Sequence, residues 1–147
     1  MVDVAAATCP FCAILEGTEP SAVVFEDDRV VAFLDRRPLF PGHTLVVPRQ
    51  HVVTLGELSA EQVGPLMKVV QATARAMESA LGAEGSLVAV NNRVSQSVPH
   101  LHVHVVPRAK GDGLKGFFWP RTSYVSDTAR GEVAAVVRAG IAEELAD

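Results

Sequence analysis

Residues 96–108 read Gln96-Ser-Val-Pro-His100-Leu-His102-Val-His104-Val-Val-Pro-Arg108, which places three of the chain's five histidines at alternate positions. Side chains alternate between the two faces of a β-strand, so the three imidazoles are expected to share one face. The apolar residues between them are then expected to point into the core. Such a row fits a three-histidine zinc site, a nucleophile with acid–base neighbours, or a polar strand face without chemistry. The triplet alone leaves all three open.

Apolar segments on both sides of this stretch predict the rest of a sheet. Asp27-Asp28-Arg29 separates two short β-branched runs and predicts a hairpin, and Pro41-Gly42 predicts a turn before a third strand. The five predicted strands are Val23–Glu26, Val30–Leu34, Thr44–Val47, Ser86–Val90 and His102–Val106.

A segment with helical periodicity lies between the third and fourth predicted strands. Ser59 and Gln62 resemble a capping box, Gly64-Pro65 favours a proper start at Pro65, and Gly82 is a natural end. One apolar stripe is formed by Val63, Leu66, Met67, Val70, Ala74, Met77 and Leu81.

Asp127 or Thr128 is the predicted cap of a final helix, whose apolar face holds Val133, Val136, Val137, Ile141 and Leu145. Strands and helices do not alternate as βαβ units. The sequence therefore predicts an α+β fold with a mostly antiparallel sheet, in a single domain over residues 1–147.

The charge of the 147-residue chain is acidic overall but unevenly distributed. A formal net charge of −4 argues against binding of nucleic acid or an anionic membrane by the surface as a whole. Between Asn91 and Arg121 there are five basic residues against one acid, Asp112. A local positive charge of this kind favours binding of a small polyanion such as phosphate. The alternative is a loop whose cations point outward and serve only solubility. We find no signal peptide and no membrane-spanning run, and expect a cytoplasmic protein.

The only two cysteines form Cys9-Pro-Phe-Cys12. In a cytosolic protein this spacing indicates metal or redox chemistry rather than a structural disulfide. A thioredoxin-like dithiol would be accompanied by a βαβ pattern, which is not found here, so zinc is favoured. Two thiolates supply only half of a tetrahedral site.

The chain resembles the histidine triad family, because three of its segments match that family and occur in the same order. These segments are Cys9-Pro-Phe-Cys12, Phe33-Leu-Asp35-Arg-Arg-Pro-Leu-Phe-Pro41-Gly42-His43-Thr-Leu-Val-Val-Pro48 and the histidine stretch. The resemblance implies that His102 attacks the α-phosphorus of a nucleotide and forms a nucleotidyl-histidine intermediate. It also implies catalytic roles at the phosphate for His104, His43 and Ser97.

The same resemblance implies a nucleotide-binding set. Asp35 would accept hydrogen bonds from the ribose hydroxyls, although an exposed turn acid is the alternative. An apolar base slot would hold Phe11, Ile14 and Phe33, each of which could instead be core. Phosphate-side contacts would come from Asn91, Gln96 and the backbone of Val98. Residues 91–96 depart from the family pattern, because they lack its glycines and are about two residues shorter.

The resemblance further implies a structural zinc ion held by Cys9, Cys12, His51 and His100, and a homodimer in which Gly116-Phe-Phe-Trp119-Pro120-Arg121 reaches toward the partner's site. His104 stands where related hexose uridylyltransferases carry glutamine, which argues against sugar-nucleotide transfer. The prediction is a hydrolase of an adenosine (purine) nucleotide conjugate, either a phosphoramidate or a dinucleoside polyphosphate. A phosphorylase, a nucleotide-binding sensor module and a zinc hydrolase with metal on all three histidines remain alternatives.

Overall fold

The computed structural model of the chain describes residues 4–114 and 121–146. The chain divides into two compact units, Met1–Asp112 and Gly113–Asp147. The prediction of one domain over residues 1–147 stays a prediction. The elements of the described residues are α1 (Val4–Ala7), α2 (Pro10–Leu15), β1 (Val23–Glu26), β2 (Val30–Leu34), β3 (Thr44–Pro48), a 3₁₀ turn (Leu55–Glu57), α3 (Ala60–Ser79), β4 (Gly85–Ala89), β5 (Val103–Arg108) and α4 (Asp127–Glu144).

The first unit is built on a five-stranded sheet in the order β1-β2-β3-β5-β4, with every neighbouring pair antiparallel. The α+β prediction is therefore confirmed. The histidine strand β5 lies between β3 and β4, so His104 is opposite Leu45 on one side and Ala89 on the other. An inner strand has both edges hydrogen-bonded, which holds its side chains at fixed positions.

Apolar side chains are buried on both faces of the sheet. One face packs with α3 around Leu66 and Leu101, and the other packs with α2 around Phe11 and Phe33. Burial on both sides explains why Val30–Leu34 and Thr44–Pro48 are nearly continuous apolar runs rather than alternating ones. As predicted, Leu101, Val103 and Val105 belong to the α3 core.

The long helix begins earlier than predicted. It starts at Ala60 and carries Pro65 inside it, where the missing N–H costs only the one bond to the carbonyl of Glu61. Ser59 is the N-cap, but its hydroxyl makes no capping bond, and the Gln62 N–H donates to its carbonyl instead. The capping-box prediction is wrong in this respect.

The histidine strand begins one residue later than predicted, at Val103. The Leu101 N–H donates to the Val52 carbonyl at 2.7 Å, away from the sheet. The first two histidines of the triplet therefore lie in an extended segment just before the strand. There the His100 carbonyl accepts a bond from the His102 side chain.

In the second unit, Ser126 rather than Asp127 or Thr128 caps α4, because its hydroxyl accepts from the Ala129 N–H at 3.0 Å. The predicted apolar face of this helix is exposed. Residues 116–120 of the predicted dimer segment lie outside the described residues. Among the described helices, none is long and apolar enough to cross a membrane.

Candidate active site and metal centre

The ring of His102 is held by the backbone of the preceding turn. Its Nδ1 lies 2.7 Å from the His100 carbonyl oxygen, an acceptor, so Nδ1 carries the proton and donates. The lone pair of a neutral ring is then on Nε2. His102 is 3 % exposed, and the Phe11 ring stands at right angles to it with 5.1 Å between centroids. The packing and the hydrogen bond together fix both the tautomer and the orientation of this imidazole.

A second chain of hydrogen bonds fixes the neighbouring imidazole. The Leu39 N–H donates to Nδ1 of His43 at 3.0 Å, so a neutral His43 carries its proton on Nε2. That Nε2 lies 2.9 Å from Nδ1 of His104 and donates to it. Nδ1 of His104 is thereby the acceptor and Nε2 the protonated nitrogen. The site thus sets side by side a ring with a free lone pair, His102, and a ring with a free N–H, His104.

Burial favours the neutral form of His104 and of His43. Desolvation lowers the pKa of His104 to about 4, and the neighbouring His102 and His43 add to the effect, against which the Asp35 carboxylate acts. Desolvation also lowers the pKa of His43, with Asp35 opposing it. A neutral imidazole is the form in which the tautomers above are defined.

The carboxylate of Asp35 lies at the edge of this group. Its Oδ1 accepts from the Arg37 N–H at 2.9 Å, and its Oδ2 is 3.6 Å from Nε2 of His43. Only 22 % of its side chain is exposed. A carboxylate held in this way beside the imidazoles is oriented rather than freely solvated, so it is available for directed hydrogen bonds.

The loop before the histidines is braced by its own side chains. The Oε1 of Gln96 accepts from the Arg93 N–H at 2.8 Å, while its Nε2 donates to the Val53 carbonyl at 2.7 Å. Arg93 and Ser95 both have positive φ, 69° and 62°, which is uncommon for residues other than glycine. The amide of Gln96 is therefore engaged within the protein, whereas the resemblance implied a phosphate-side contact. The short loop without glycines is closed by this amide.

The remaining predicted nucleotide contacts are distributed as follows. Phe11 and Phe33 pack edge to face at 5.3 Å between centroids within the buried α2-side core, and Ile14 and Val98 pack against that core. Asn91 is half-buried and Ser97 is exposed. These positions are compatible with the predicted roles but do not test them.

Four side chains predicted to bind zinc converge in one cluster. Nδ1 of His100 lies 3.6 Å from Sγ of Cys9 and 3.6 Å from Sγ of Cys12, and Nδ1 of His51 lies 3.3 Å from Sγ of Cys12. Zn–S bonds of about 2.3 Å and Zn–N bonds of about 2.0–2.1 Å at tetrahedral angles give sulfur–nitrogen separations of about 3.6 Å. All four ligand atoms lie within 4.8 Å of one another. The cluster has the donor set and the spacing of a tetrahedral metal site.

The surroundings of His100 also fit a metal ligand. Its Nε2 donates to the Pro48 carbonyl at 2.8 Å, which is the outer bond that ligating histidines usually make. Burial lowers the pKa of His100 to about 4, against the opposing effect of the Pro48 bond. The ring is neutral and its Nδ1 lone pair faces the thiols.

Asp35, His43 and His104 form a second group whose ligand atoms are within 4.8 Å of one another. In this group the hydrogen bond to the outer ring nitrogen of His43 runs in the opposite direction to the one that a metal ligand needs. Nδ1 of His43 faces the Leu39 N–H, a donor, so a metal on Nε2 would oblige two N–H groups to oppose each other. This group is a hydrogen-bonded network, and the two clusters differ in chemistry.

Two of the five cations in the predicted positive segment pair with acids. Arg108 pairs with Asp112 at 2.6 Å, and Arg93 pairs with Glu57 at 3.0 Å. Lys115 lies outside the described residues, and Arg121 belongs to the second unit. In the described part of the chain, two of the five cations thus stabilise loops through ion pairs.

Sequence reasoning missed three supporting groups: the Leu39 N–H, the Pro48 carbonyl and Glu57, which accepts from both Val53 and Arg93. Two of the three are backbone atoms, which carry no residue-type signal. Glu57 also gave no signal, because an acidic residue in a turn is ordinary.

Comparison with known proteins gives three related sequences. An uncharacterised HIT-like protein of Methanocaldococcus jannaschii is 42 % identical over 71 % of this chain and 82 % of its own. An adenosine 5′-monophosphoramidase of Schizosaccharomyces pombe is 34 % identical over 77 % of this chain and 84 % of its own. An adenylylsulfatase of Arabidopsis thaliana is 34 % identical over 72 % of this chain and 55 % of its own.

Two solved structures are similar throughout. A HIT family member from Bacillus subtilis superposes with a TM-score of 0.82, at 33 % identity over 95 % of this chain and 99 % of that one. A zinc-bound histidine triad protein from Mycobacterium smegmatis gives a TM-score of 0.70, at 38 % identity over 91 % and 99 %. The HIT domain model matches residues 16–111. The chain belongs to the histidine triad (HIT) family.

Proposed function

We propose that the protein is a nucleotide hydrolase that cleaves purine nucleotide conjugates at the α-phosphate through a nucleotidyl-histidine intermediate on His102. The observation that supports this most directly is the bond from Nδ1 of His102 to the His100 carbonyl. It leaves the Nε2 lone pair of a neutral ring free for attack. A nucleotide-binding module without turnover would not require that tautomer.

In the first step Nε2 of His102 forms a bond to the α-phosphorus. The bond from phosphorus to the leaving group breaks, and its electron pair departs with the leaving group. In the second step water attacks the same phosphorus, its proton passes to solvent, and the nitrogen–phosphorus bond breaks. The products are the nucleoside monophosphate and regenerated His102.

The Nε2–H of His104 is oriented by His43 and donates to the phosphate oxygens as charge builds on them. Preorganised donors of this kind supply much of the transition-state stabilisation in group transfer. In the proposed site Ser97 and the Val98 backbone bind the remaining phosphate oxygens, and Asp35 binds the ribose. Phe11, Ile14 and Phe33 form the apolar wall toward the base. We assign Asn91 to the phosphate side, while the bonds of Gln96 within its own loop give that residue a supporting role.

Two relatives named above act on an adenosine 5′-phosphoramidate and on an adenylyl sulfate, as their names state. Both conjugates carry on the α-phosphate of an adenylyl group a second group that departs on hydrolysis, as sulfate or, after taking a proton from solvent, as ammonia. We therefore place a phosphoramidate or a dinucleoside polyphosphate as the substrate of this chain. A phosphorylase differs only in that phosphate replaces water in the second step.

We further propose that Cys9, Cys12, His51 and His100 hold a structural zinc ion. All four positions of a tetrahedral ion would be filled by protein, so the ion would fix α2 to the segment before β5 and leave catalysis to His102. The spacing of the four ligand atoms and the bond from His100 to Pro48 support this assignment. A homodimer remains a prediction from the resemblance, and cytoplasmic location remains a prediction from the sequence.

The test is release of AMP from adenosine 5′-phosphoramidate and from diadenosine polyphosphates by the wild type and His102→Ala. We expect turnover by the wild type, none above background by the variant, and a covalent nucleotidyl adduct on the wild type in mass spectra of quenched reactions. No histidine lies outside the imidazole site and the metal cluster to serve as a control substitution, so unchanged zinc content and thermal midpoint serve as the folding control.

Other outcomes separate the alternatives. Binding of AMP without turnover of any substrate would favour the sensor module. Formation of ADP when phosphate is added would favour the phosphorylase. Immediate loss of turnover on chelation, before any change in the folded fraction, would place catalysis on a metal and refute the nucleophilic role of His102.

A further inference from the structure

A closed ring of hydrogen bonds joins the loop before the histidines to the segment between β3 and α3. The Glu57 carboxylate accepts from the Val53 N–H at 2.9 Å and from the Arg93 guanidinium at 3.0 Å. The Arg93 N–H donates to Oε1 of Gln96 at 2.8 Å, and Nε2 of Gln96 donates to the Val53 carbonyl at 2.7 Å. Each of these four residues is therefore bonded to two of the others, and together they form the Glu57 ring.

The segment that carries Glu57 is anchored in the core. Val52 and Leu58, on either side of the ring residues, are both buried in the α3-side core. The Val52 carbonyl also accepts from the Leu101 N–H at 2.7 Å, and Leu101 lies between the first two histidines of the triplet. The segment is therefore fixed relative to the nucleophile, and the loop bonded to it is fixed relative to the same histidine.

The loop side of the ring has a backbone conformation that needs support from outside. Arg93 and Ser95 have φ of 69° and 62°, in the left-handed region that is unfavourable for residues with a Cβ. Such conformations persist only where surrounding contacts impose them. The Glu57 ring supplies such contacts, and a bond of 2.9 Å from the Leu55 N–H to Oδ1 of Asn92 joins the same two segments.

This loop leads directly into the residues proposed to bind phosphate. Among residues 4–114 and 121–146, no partner hydrogen-bonds to the Ser97 N–H, the Ser97 hydroxyl or the Val98 N–H. Gln96, whose amide is held at both ends by the ring, is the residue just before them. Donors that are held in one conformation and lack protein partners suit an anion. The position of Gln96 therefore determines where these donors point.

An isolated ion pair on the surface would not have this effect, because such pairs contribute little. The pair of Arg49 with Glu26, at 3.1 Å, is of that kind, since no other group in the described part of the chain donates to the Glu26 carboxylate. Glu57 differs because it also accepts from a backbone N–H. The Val53 bond lowers the pKa of the Glu57 carboxyl, and the charge of Arg93 adds to the effect. The acceptor of the ring is therefore ionised at neutral pH.

We propose that Glu57 is a positioning residue for the phosphate-binding groups of Ser97 and Val98, acting through Arg93 and Gln96. The proposal rests on the proposed function, which places the α-phosphate against those groups. Loss of Glu57 should displace the donors and leave the nucleophile oriented as before. Because small misplacements of binding groups are costly, we expect KM for adenosine 5′-phosphoramidate to rise about tenfold, with kcat changed by less than about threefold.

The experiment measures kcat and KM for adenosine 5′-phosphoramidate, and the calorimetric Kd of AMP, on the wild type, Glu57→Ala, Arg93→Ala and the double variant. Glu57→Ala is expected to raise both KM and Kd about tenfold, and Arg93→Ala to raise them in the same direction. The double variant should be no worse than Glu57→Ala, because both changes remove the same link. Arg93→Lys, which keeps one donor for Glu57, should recover part of the loss. Glu26→Ala removes an exposed arginine pair of similar length and is the matched control, expected to behave as the wild type.

Unchanged KM and AMP affinity in Glu57→Ala, whatever its thermal midpoint, would overturn the proposal and leave hydrolysis intact. A loss confined to kcat, an equal loss in Glu26→Ala, or a double variant whose loss is the product of the single losses would also overturn it. If Glu57→Ala does not fold, Arg93→Ala, a change at an exposed side chain, decides alone.

Failure of the hydrolase assignment is a separate outcome. If the wild type does not turn over the phosphoramidate, the affinity for AMP decides the role of Glu57. Weaker binding of AMP by Glu57→Ala, but not by Glu26→Ala, upholds the positioning role. Equal binding by the two variants, or no binding by the wild type, overturns it.

Discussion

Replacing His43 by leucine isolates the bond that orients His104. His43 is 3 % exposed and joins the Leu39 N–H, at 3.0 Å, to Nδ1 of His104, at 2.9 Å. Leucine has a similar volume and fills the space without a donor. The variant therefore removes the hydrogen bonds and keeps most of the packing.

The magnitude follows from the two bonds. A neutral hydrogen bond contributes about 1 kcal/mol. If His43 and His104 both carried their protons on Nδ1 instead of Nε2, the bonds from Leu39 to His43 and from His43 to His104 would both be lost. That pair of tautomers is therefore disfavoured by about 2 kcal/mol, roughly thirtyfold. Wild-type His104 should then carry its proton on Nε2 in more than about nine molecules in ten. In His43→Leu this bias disappears, and the two neutral tautomers of His104 become comparably populated. The unpaired Nδ1 of His104 should cost about 1–3 kcal/mol of unfolding free energy, partly offset by the buried leucine.

Long-range ¹H–¹⁵N spectra of protein labelled with ¹⁵N-histidine, recorded at pH 7.5, report which nitrogen of each ring is protonated. His43→Gln is the control, because its amide places an N–H donor near the position of the lost Nε2 and should retain the wild-type tautomer of His104. Wild-type His104 protonated on Nδ1, or a His104 tautomer that does not change in His43→Leu, would refute the hydrogen-bond chain from Leu39.

Three further predictions concern the metal, pH and the braced loop. Wild type should hold about one zinc per chain, and Cys12→Ser should lose it and melt about 10 °C lower; equal zinc content in both would contradict the four-ligand site. The pKa of His104 is lowered to about 4 in the folded protein, so only the unfolded ring takes up a proton as pH falls from about 6.5 to about 4. Unfolding free energy in urea should therefore fall across that window and level off above it, and His104→Gln should show a shallower fall; an identical slope would exclude His104 as a contributor. Ser95→Gly should raise the unfolding free energy by a few tenths to about 1 kcal/mol relative to Ser95→Ala, because a φ of 62° strains any residue with a Cβ; a glycine variant less stable than the alanine variant would refute the strain.

Much of the fold could be predicted from local pattern. The hairpin and the third strand are found, because short β-branched and apolar runs bounded by turn residues are visible directly in the sequence. The errors fall at element ends. Pro65 was expected to start the long helix, but the helix begins a turn earlier, at Ala60, and a proline in the second turn loses only one backbone hydrogen bond. The proline therefore did not mark the helix start.

The residue types of the site could be predicted, but their roles rest on neighbours distant in sequence. Two such roles depend on contacts between segments about 40 residues apart: Gln96 closes its own loop through Val53, and Arg93 pairs with Glu57. No spacing rule connects such positions. The pairing of Arg93 cannot be predicted for the same reason, since an arginine in sequence gives no sign of the distant acid that will pair with it.

The sequence by itself determined that three histidines alternate with apolar residues in one extended stretch and that two thiols stand at metal spacing, because these features depend only on residue order and residue chemistry. Only the tertiary structure decided which nitrogen of each ring carries the proton. That choice is made by the His100 carbonyl for His102, and by the Leu39 N–H acting through His43 for His104. The two ring nitrogens are chemically nearly equivalent until folding places a donor or an acceptor beside one of them.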